Sequence, residues 1–502
     1  MLKRRLLINA IMSVVQVMVT GVVVFLLYRF LLNTIGVNQL GIWSVVLASA
    51  SFASIANCGL SGSVVKFVAK YLARGEGETV VSVIQTSVIS VGILCGLVLL
   101  IAYPFAKWLL NLVVPLPSIK EAVSILPYAL LSLWIAVIAS VFQGALDGYQ
   151  RVDTRSALLV IGASFHLILC FLLVPTYGLM GLAYAQVVQA CIVLVGSWLA
   201  LKRYLPLLPT IPYQWNLKLF KEMVGYGINF QLISVSQMVY DPITKALLTK
   251  FGGLSLIGFY EMASRMVLQL RALPVAANQV IIPAIANLQE KIPGKIGEVY
   301  LTSYQLLLYL SLPLFSLIIV CTPIISELWI GYFEEDFVQF AILLSIGWFL
   351  NALNAPAYFA NLGIGKLRWN VAGHISIAVL NAILGFLFGI FYGGHGVVTA
   401  WVISLVFGSS IISLSYHIRH KIPLIELIPK ESRIIIGVCL STIIFSLIIR
   451  HILVRIFSPI GLNSVIVLLV SIIIFIPLWL HPMRRRLVAW VSNDLLNREA
   501  KA

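Results

Sequence analysis

A near-continuous succession of apolar stretches is the feature that most constrains what this chain can fold into. A bilayer core about 30 Å thick is crossed by a helix of about 20 apolar residues, and about fourteen stretches of this length follow one another along the chain. Apolar side chains make up 61% of the 502 residues and charged ones only 10%, against roughly 25% charged residues in soluble domains. We therefore expect an all-α membrane protein with about fourteen transmembrane helices and almost no soluble mass.

The basic charge of the chain is distributed as an orientation signal. The net charge is +16, and the Lys and Arg residues fall mainly between the apolar stretches. Short cytoplasmic loops carry an excess of Lys and Arg, and most basic residues lie on one side if the N-terminus is inside. This predicts a multi-pass protein of the cytoplasmic (inner) cell membrane with both termini in the cytoplasm. It argues against a nucleic-acid partner, for which a soluble basic surface is typical.

Three short patterns occur twice, at a separation of about 217 residues. They are Gly36-x4-Gly41-x-Trp43 with Gly253-x4-Gly258-x-Tyr260, Gly148-x-x-Arg151 with Gly365-x-x-Arg368, and Tyr177-Gly178-x-x-Gly181 with Tyr392-Gly393-x-x-Gly396. Each pattern alone is weak, because glycine-rich loop ends are common where helices turn. Their agreement in order and spacing predicts an internal duplication.

The duplication divides the chain into two lobes of six predicted spans each. We predict an N-lobe over residues 1–201, a cytoplasmic linker over 202–223, a C-lobe over 224–416, and two extra C-terminal spans with a cytoplasmic tail over 417–502. An even number of spans in each repeat makes the two repeats parallel in the membrane. Transporters built from parallel repeats bind their substrate between the two halves.

At these residues the chain resembles the polysaccharide-exporter branch of the multidrug/oligosaccharidyl-lipid/polysaccharide (MOP) exporter superfamily, which includes O-antigen (Wzx-type) flippases. The resemblance rests on Gly41-Ile42-Trp43, on the stretch from Pro175 to Ala185, on the stretch from Gly365 to Trp369, and on the two-by-six layout. The two extra spans are also similar to the added pair of lipid II flippases, which offers a surface for the lipid tail.

This resemblance implies a V-shaped, two-lobed helical bundle that works by alternating access. Its implied substrate is an isoprenoid-diphosphate-linked (polyprenyl diphosphate) oligosaccharide, moved from the cytoplasmic to the outer leaflet for cell-surface polysaccharide such as the O-antigen of lipopolysaccharide. The implied partners are this lipid-linked saccharide, membrane lipids and glycan assembly enzymes.

Five charged residues fall inside the seventh and eighth predicted spans. A charge at the centre of a span costs about 3 kcal/mol or more unless it is paired or faces water, so each is a candidate functional residue. Asp241 and Lys245 lie four residues apart, as do Glu261 and Arg265, and such pairs can meet along one helix face. Arg271 has no partner in its own span.

Arg29 lies near the outer end of the first span, and Lys245 lies about 216 residues later, at a similar depth in the second repeat. We predict that these two residues, together with Arg265 and Arg271, make a central cavity basic enough to hold the diphosphate-saccharide head. Arg suits this role because it clamps phosphate through two parallel hydrogen bonds. The alternative is that Arg29 and Lys245 extend to the outer interface and that the acid–base pairs only join helices.

Asp241 and Glu261 have a second interpretation, as acids that carry a coupling ion. A carboxylate in a low dielectric binds a proton more readily, so coupling to H+ or Na+ stays open.

Pro242, Pro274 and Pro356 interrupt the seventh, eighth and tenth predicted spans, because proline kinks or breaks a helix. They are candidates for hinges or for static bends that shape the cavity. No metal or other cofactor is expected, since His166 and His374 are isolated from each other and from carboxylates.

Other function classes fit the sequence less well. The chain has no GxxxxGK[ST] phosphate-binding loop, which argues against ATP hydrolysis. A membrane-embedded glycan polymerase or transferase usually needs a sizeable loop or a His or carboxylate cluster, and the cluster Glu334-Glu335-Asp336 is typical of a solvated loop. The nearest alternative is a multidrug/cation antiporter of the same fold, which should have an acid-dominated cavity. We therefore expect a transporter and not an enzyme.

Overall fold

The computed structural model describes residues 2–51, 60–278, 293–364, 366–453 and 459–485, together with 281, 285, 288 and 289. Helices account for nearly all of these residues, and no strand occurs among them. In a bilayer core each backbone N–H and C=O group must be bonded inside the protein, and a helix achieves this within one segment. The all-α prediction is confirmed. The end of the predicted C-terminal tail, from residue 486, and Gly365 lie outside the described residues.

The helices follow one another with short connections. They are α1 (Leu2–Ser51), α2 (Leu60–Ala73), α3 (Gly77–Val113), α4 (Leu116–Gly148), α5 (Val152–Tyr177), α6 (Leu179–Tyr204), α7 (Leu217–Asn278), α8 (Ile296–Trp329), α9 (Glu335–Leu353), α10 (Ala355–Ile364), α11 (Arg368–His420), α12 (Leu424–Leu427), α13 (Lys430–Leu453) and α14 (Pro459–Leu480). A 3-10 helix, Pro293–Lys295, precedes α8. Helices α1, α7 and α11 each run through a non-helical glycine, so each consists of two helical segments.

Ten helices in the described part of the chain are long and apolar enough to cross a membrane. Helix α11 alone has 53 residues. If it were unbroken it would be about 80 Å long, which is more than twice the thickness of a bilayer core. The chain is thus a multi-pass membrane protein. The count of about fourteen spans stays a prediction.

Two compact units make up the chain, Met1–Met262 with Ala378–Trp401 and Ala263–Ile377 with Val402–Ala502. In the first unit α4 packs on α3 and α6, and α5 packs on α1 and α6. In the second unit α8 packs on α9, α13 and α14. The unit boundaries fall within α7 and α11, because the units follow spatial contacts. The predicted lobes follow the sequence repeat and stay a prediction.

The internal duplication is visible in the backbone conformation of two pairs of glycines. Gly36 has φ 81° and ψ 166°, and Gly253 has φ 82° and ψ 177°. Gly178 has φ 57° and ψ −134°, and Gly393 has φ 62° and ψ −148°. A positive φ favours glycine because a Cβ would clash with the backbone. The repeated sequence patterns therefore mark the same helix breaks in both repeats.

The segments that follow the first break of each repeat approach each other closely within the first unit. A Cβ on Gly41 would overlap the carbonyl oxygen of Leu254, and a Cβ on Gly258 would overlap Val37. The duplication makes Gly41 equivalent to Gly258 and Val37 equivalent to Leu254. The two contacts are therefore the same contact with the repeats exchanged, as expected around a local two-fold axis.

The segment between α6 and α7 is bound along α3, within the first unit. The backbone N–H groups of Tyr213 and Gln214 donate to Oε1 of Gln85 over 2.9 and 3.1 Å, and Nε1 of Trp215 donates to Oγ of Ser90 over 2.9 Å. The predicted linker thus has a fixed conformation, because polar side chains of α3 bond its backbone.

Helices α13 and α14 are joined to α8 by buried polar groups that the sequence analysis did not single out. Arg450 in α13 donates from Nε to Oδ1 of Asn463 in α14 over 2.9 Å and from Nη2 to the carbonyl oxygen of Val320 in α8. Asn463 donates in turn to Oε1 of Glu327 in α8 over 3.1 Å. An Arg inside a bundle is tolerated when it is hydrogen-bonded, and Arg450 has partners for its Nε and Nη2 groups.

Candidate functional site

A buried ion cluster lies in the first unit, centred on Lys245. The Nζ atom of Lys245 lies 2.6 Å from Oδ2 of Asp241 and 2.8 Å from Oε2 of Glu261. The side chains of Lys245 and Glu261 are each 4% exposed, and that of Asp241 is 51% exposed. In an unbroken helix Lys245 and Glu261 would lie about 24 Å apart. Their contact therefore depends on the helix break at Gly253.

Glu261, in the second repeat, receives hydrogen bonds from two side chains of the first repeat. The hydroxyl of Tyr28 donates to Oε1 over 3.3 Å, and Oγ of Ser44 donates to Oε2 over 2.8 Å. Taking an ion out of water costs several kcal/mol, which is offset only when its remaining lone pairs are bonded as well. With Lys245, Tyr28 and Ser44 around it, Glu261 meets this condition. The cluster joins α1 to α7.

The structure brings together three of the predicted site residues in this cluster. Asp241 contacts Lys245, as their spacing predicts. Glu261, which the spacing placed beside Arg265, is bonded to the donors described above, and Arg265 is an exposed residue. Helical spacing alone does not predict the contact between Lys245 and Glu261, because that contact depends on the helix break at Gly253.

Arg29 is also exposed. The breaks at Gly36 and Gly253 set the register of the two repeats, and in this register the equivalent of Lys245 is Tyr28 rather than Arg29. Adjacent residues of a helix point about 100° apart, which explains why Arg29 is exposed while Tyr28 and Lys245 are buried. A cavity role for Arg29 stays a prediction.

A second cluster surrounds Arg271, in the second unit. Its Nη2 donates to Oδ1 of Asn351 over 2.9 Å, and its guanidinium carbon lies 4.4 Å from the centre of the Trp348 ring. Its Nε is buried and has no hydrogen-bond partner among the described residues. Stacking on an aromatic face fixes the plane of a guanidinium without using its N–H donors. Arg271 thus keeps donor capacity for an anion.

The three candidate hinge prolines are buried. Pro356 follows the helix break at Asn354 and stands in the first turn of α10, where proline is tolerated. Helix α7 continues through Pro242 and Pro274, and the non-helical residue described within it is Gly253. The hinge roles of these prolines stay predictions.

Among the described residues, no three His, Cys, Asp or Glu side chains are grouped so that they could hold a metal ion. His166 lies 3.5 Å from Sγ of Cys170, and the His374 ring packs edge to face on Tyr358 with centroids 5.7 Å apart. The chemistry available in the clusters around Lys245 and Arg271 is therefore ion pairing and hydrogen bonding.

A cleft of about 360 Å³ opens within the first unit between α1, α4, α5 and α6. Small and apolar side chains form most of its wall, and Gln143, Gln186 and Gln189 are its largest polar groups. These glutamines are not among the residues predicted from the sequence. One signal was available, since Gln186 and Gln189 are three residues apart and so share a face of α6.

Comparisons with known proteins agree with this architecture. The sequence model of the family described as "Polysaccharide biosynthesis protein" matches residues 6–289, more than half of the chain. A relative named "Putative O-antigen transporter", from Shigella flexneri, is 20% identical over 400 residues, which cover 77% of this chain and 92% of the relative.

Two solved structures have similar folds. An inward-facing multidrug resistance MATE family transporter of the MOP superfamily has a TM-score of 0.69 and 16% identity, covering 80% of this chain and 94% of its own. Lipid II flippase MurJ, in an inward closed conformation, also has a TM-score of 0.69, with 13% identity, 98% of this chain and 100% of its own covered. The fold resemblance to the MOP superfamily is thereby confirmed.

Proposed function

Because the chain belongs to the polysaccharide biosynthesis protein family, we propose that it is a flippase and not an enzyme. It moves an isoprenoid-diphosphate-linked oligosaccharide from the cytoplasmic to the outer leaflet by alternating access, for cell-surface polysaccharide such as O-antigen. The names of its relative and of MurJ refer to O-antigen and lipid II, which supports this substrate class. The proposed location is the inner membrane, with both termini in the cytoplasm and with glycan assembly enzymes as neighbours.

The observation that carries the proposal is that the guanidinium of Arg271 is held in place while one of its N–H donors has no partner among the described residues. A diphosphate can leave water only if cationic donors replace its hydration, and charge-assisted bonds from Arg are the strongest of these. Trp348 and Asn351 orient the guanidinium, and its Nε is left for a ligand. We propose that Arg271 binds the diphosphate, and that the exposed Arg265 and Arg29 add positive charge along the path of the head group. The charge of Lys245 is balanced by Asp241 and Glu261, so Lys245 adds no net charge to this path.

A multidrug/cation antiporter is the alternative, supported by the fold of the MATE transporter. A cation substrate requires a carboxylate that is available to it, whereas the buried Glu261 is occupied by Lys245 and two hydroxyl groups. This arrangement argues against Glu261 as the binding group for a cationic substrate. For coupling to H+ or Na+, Asp241 is the better candidate, because half of its side chain is exposed.

The test is deletion of the gene in its own host, followed by complementation. We expect loss of surface polysaccharide and accumulation of its lipid-linked precursor in the membrane, both restored by the wild-type chain. Arg271→Gln should fail to restore export, while Arg419→Gln, at an exposed arginine of α11, should restore it at equal protein level. Unchanged surface polysaccharide after deletion, especially with a new sensitivity to cationic drugs, would favour the antiporter.

A further inference from the structure

We propose that the cleft in the first unit, lined by Gln143, Gln186 and Gln189, binds an uncharged, hydroxyl-bearing sugar ring of the transported saccharide. The proposal rests on the flippase function above and assigns a second subsite to it. This subsite concerns the sugar part of the substrate, whereas Arg271 is proposed above for its diphosphate.

The cleft is built from helix faces that belong to one unit. On α4 the residues Ala136, Ala139 and Gln143 follow one another at intervals of three and four. On α6 the residues Gln186, Gln189 and Val193 have the same spacing. The small side chains of Ala136, Ala139 and Ala190 in the wall leave the space of the cleft open. Its volume of about 360 Å³ lies near the lower end of the range of about 300–1,000 Å³ that is usual for small-molecule sites.

The glutamine side chains in the cleft have unused hydrogen-bonding groups. None of the three makes a hydrogen bond to another described residue, whereas Gln85, elsewhere in the same unit, accepts two backbone N–H groups. The three side chains are partly exposed, so their amide groups are accessible from the cleft. Three amides that face one cleft without a protein partner can together hydrogen-bond a polar ligand.

The chemistry of the wall selects the class of ligand. Each amide offers two N–H donors and one carbonyl acceptor, and a sugar hydroxyl both donates and accepts. Among the residues that the structure describes, no Asp, Glu, Lys, Arg or His lines the cleft, so a charged group placed there would meet no described counter-ion. The Ala, Leu and Val side chains of the wall suit the C–H faces of a pyranose ring.

The first experiment measures export in the deleted host after complementation with Gln143→Leu, Gln186→Leu, Gln189→Leu and the triple variant. Leucine keeps the volume and removes the amide. Loss of one hydrogen bond should lower the export rate about two- to tenfold per glutamine. Gln214→Leu is the control, because this exposed side chain lies in the segment between α6 and α7, outside the cleft. Membrane protein levels are compared in each strain.

The second experiment reports occupancy of the cleft directly. Gln186→Cys, in a chain freed of its six native cysteines, is labelled with N-ethylmaleimide in two hosts. One host makes its lipid-linked saccharide, and the other lacks the transferase that attaches the first sugar phosphate. We expect labelling to be slower by about threefold or more where the saccharide is made, and Gln214→Cys to be labelled equally in both.

The outcomes separate this proposal from the flippase function. Export by the triple variant at the wild-type rate, together with equal labelling of Gln186→Cys in the two hosts, would overturn the sugar site while the deletion phenotype still supports a flippase. If deletion leaves surface polysaccharide unchanged, the flippase function itself fails. If the triple variant loses export while Gln186→Cys is protected by the saccharide, both proposals stand.

Discussion

Ser44 and Glu261 occupy equivalent positions of the internal duplication, and they bind each other, with Oγ of Ser44 donating to Oε2 of Glu261 over 2.8 Å. Equivalent residues can touch only close to the axis that relates the two repeats. Tyr28 and Lys245 are likewise equivalent, and both contact Glu261. The two repeats thus contribute different side chains from the same positions, and one carboxylate near the local axis is bonded by both.

Removal of one partner from this ion pair should strongly destabilise the protein. Lys245→Met leaves Glu261 buried without its counter-ion, at an expected cost of about 3–5 kcal/mol. The double variant with Glu261→Leu should recover part of this loss, because it removes both charges. The measurement is the midpoint of thermal unfolding in detergent. Asp241→Asn, at the half-exposed acid, should change stability by about 1 kcal/mol or less. Equal effects at Lys245 and Asp241 would contradict the prediction.

The close approach at the crossing of the two repeats should not tolerate a methyl group. Gly41→Ala and Gly258→Ala each place a Cβ against the opposing segment, and we expect a loss of about 1–3 kcal/mol from overpacking. Gly437→Ala in α13 is the matched control, because a Cβ there meets nothing within 4 Å, and alanine favours the helix by about 0.5–1 kcal/mol. In detergent, the melting midpoint should fall for Gly41→Ala and Gly258→Ala and rise for Gly437→Ala. A lower melting midpoint for Gly437→Ala would speak against this packing argument.

Trp348 should matter for anion binding through its contact with Arg271. Trp348→Leu removes a cation–π contact that is worth about 0.5–2 kcal/mol, so the affinity of the purified protein for undecaprenyl diphosphate should fall about two- to thirtyfold. Trp348→Phe keeps an aromatic face and should retain most of the affinity. Binding is measured by native mass spectrometry. The orienting role of Trp348 is refuted if leucine and phenylalanine behave alike.

The polar network at Arg450 should hold the last two long helices on α8. Arg450→Met leaves Asn463 and the Val320 carbonyl without their donor, and we expect a loss of about 2–3 kcal/mol. Limited proteolysis of the connection between α13 and α14, together with thermal melting, provides the readout. Arg419→Met changes an exposed arginine and should leave both unchanged. Unaltered melting of Arg450→Met would show that apolar packing alone holds these helices.

The sequence predicted the helical fold well because a bilayer restricts a chain of this composition to helices or closed barrels. The repeated glycine patterns, which predicted the duplication, coincide with both pairs of helix breaks, since positive φ values at Gly36 and Gly253 favour glycine. The sequence also paired Asp241 with Lys245, because that contact depends only on helical spacing within one segment.

The same reasoning did not find the partners of Glu261. Tyr28 and Ser44 lie in α1, far away in sequence, and their contact with Glu261 depends on how two helix breaks bring α1 and α7 together. It also did not find Trp348 beside Arg271 or the glutamine cleft. A polar residue in an apolar helix gives no sign in the sequence of whether it faces lipid, another helix or a cleft.

The sequence by itself determined that the chain lies in a membrane, that it is helical and that it contains an internal duplication. These properties follow from the length of the apolar stretches, the distribution of charge and the placement of glycines, which all act locally along the chain. Only the tertiary structure decided which charges are paired, which are exposed and which amides share a cleft. The physical reason is that burial and hydrogen bonding of a side chain depend on the neighbouring helix that faces it. That neighbour is set by where long helices break and cross, as at Gly41 and Gly258.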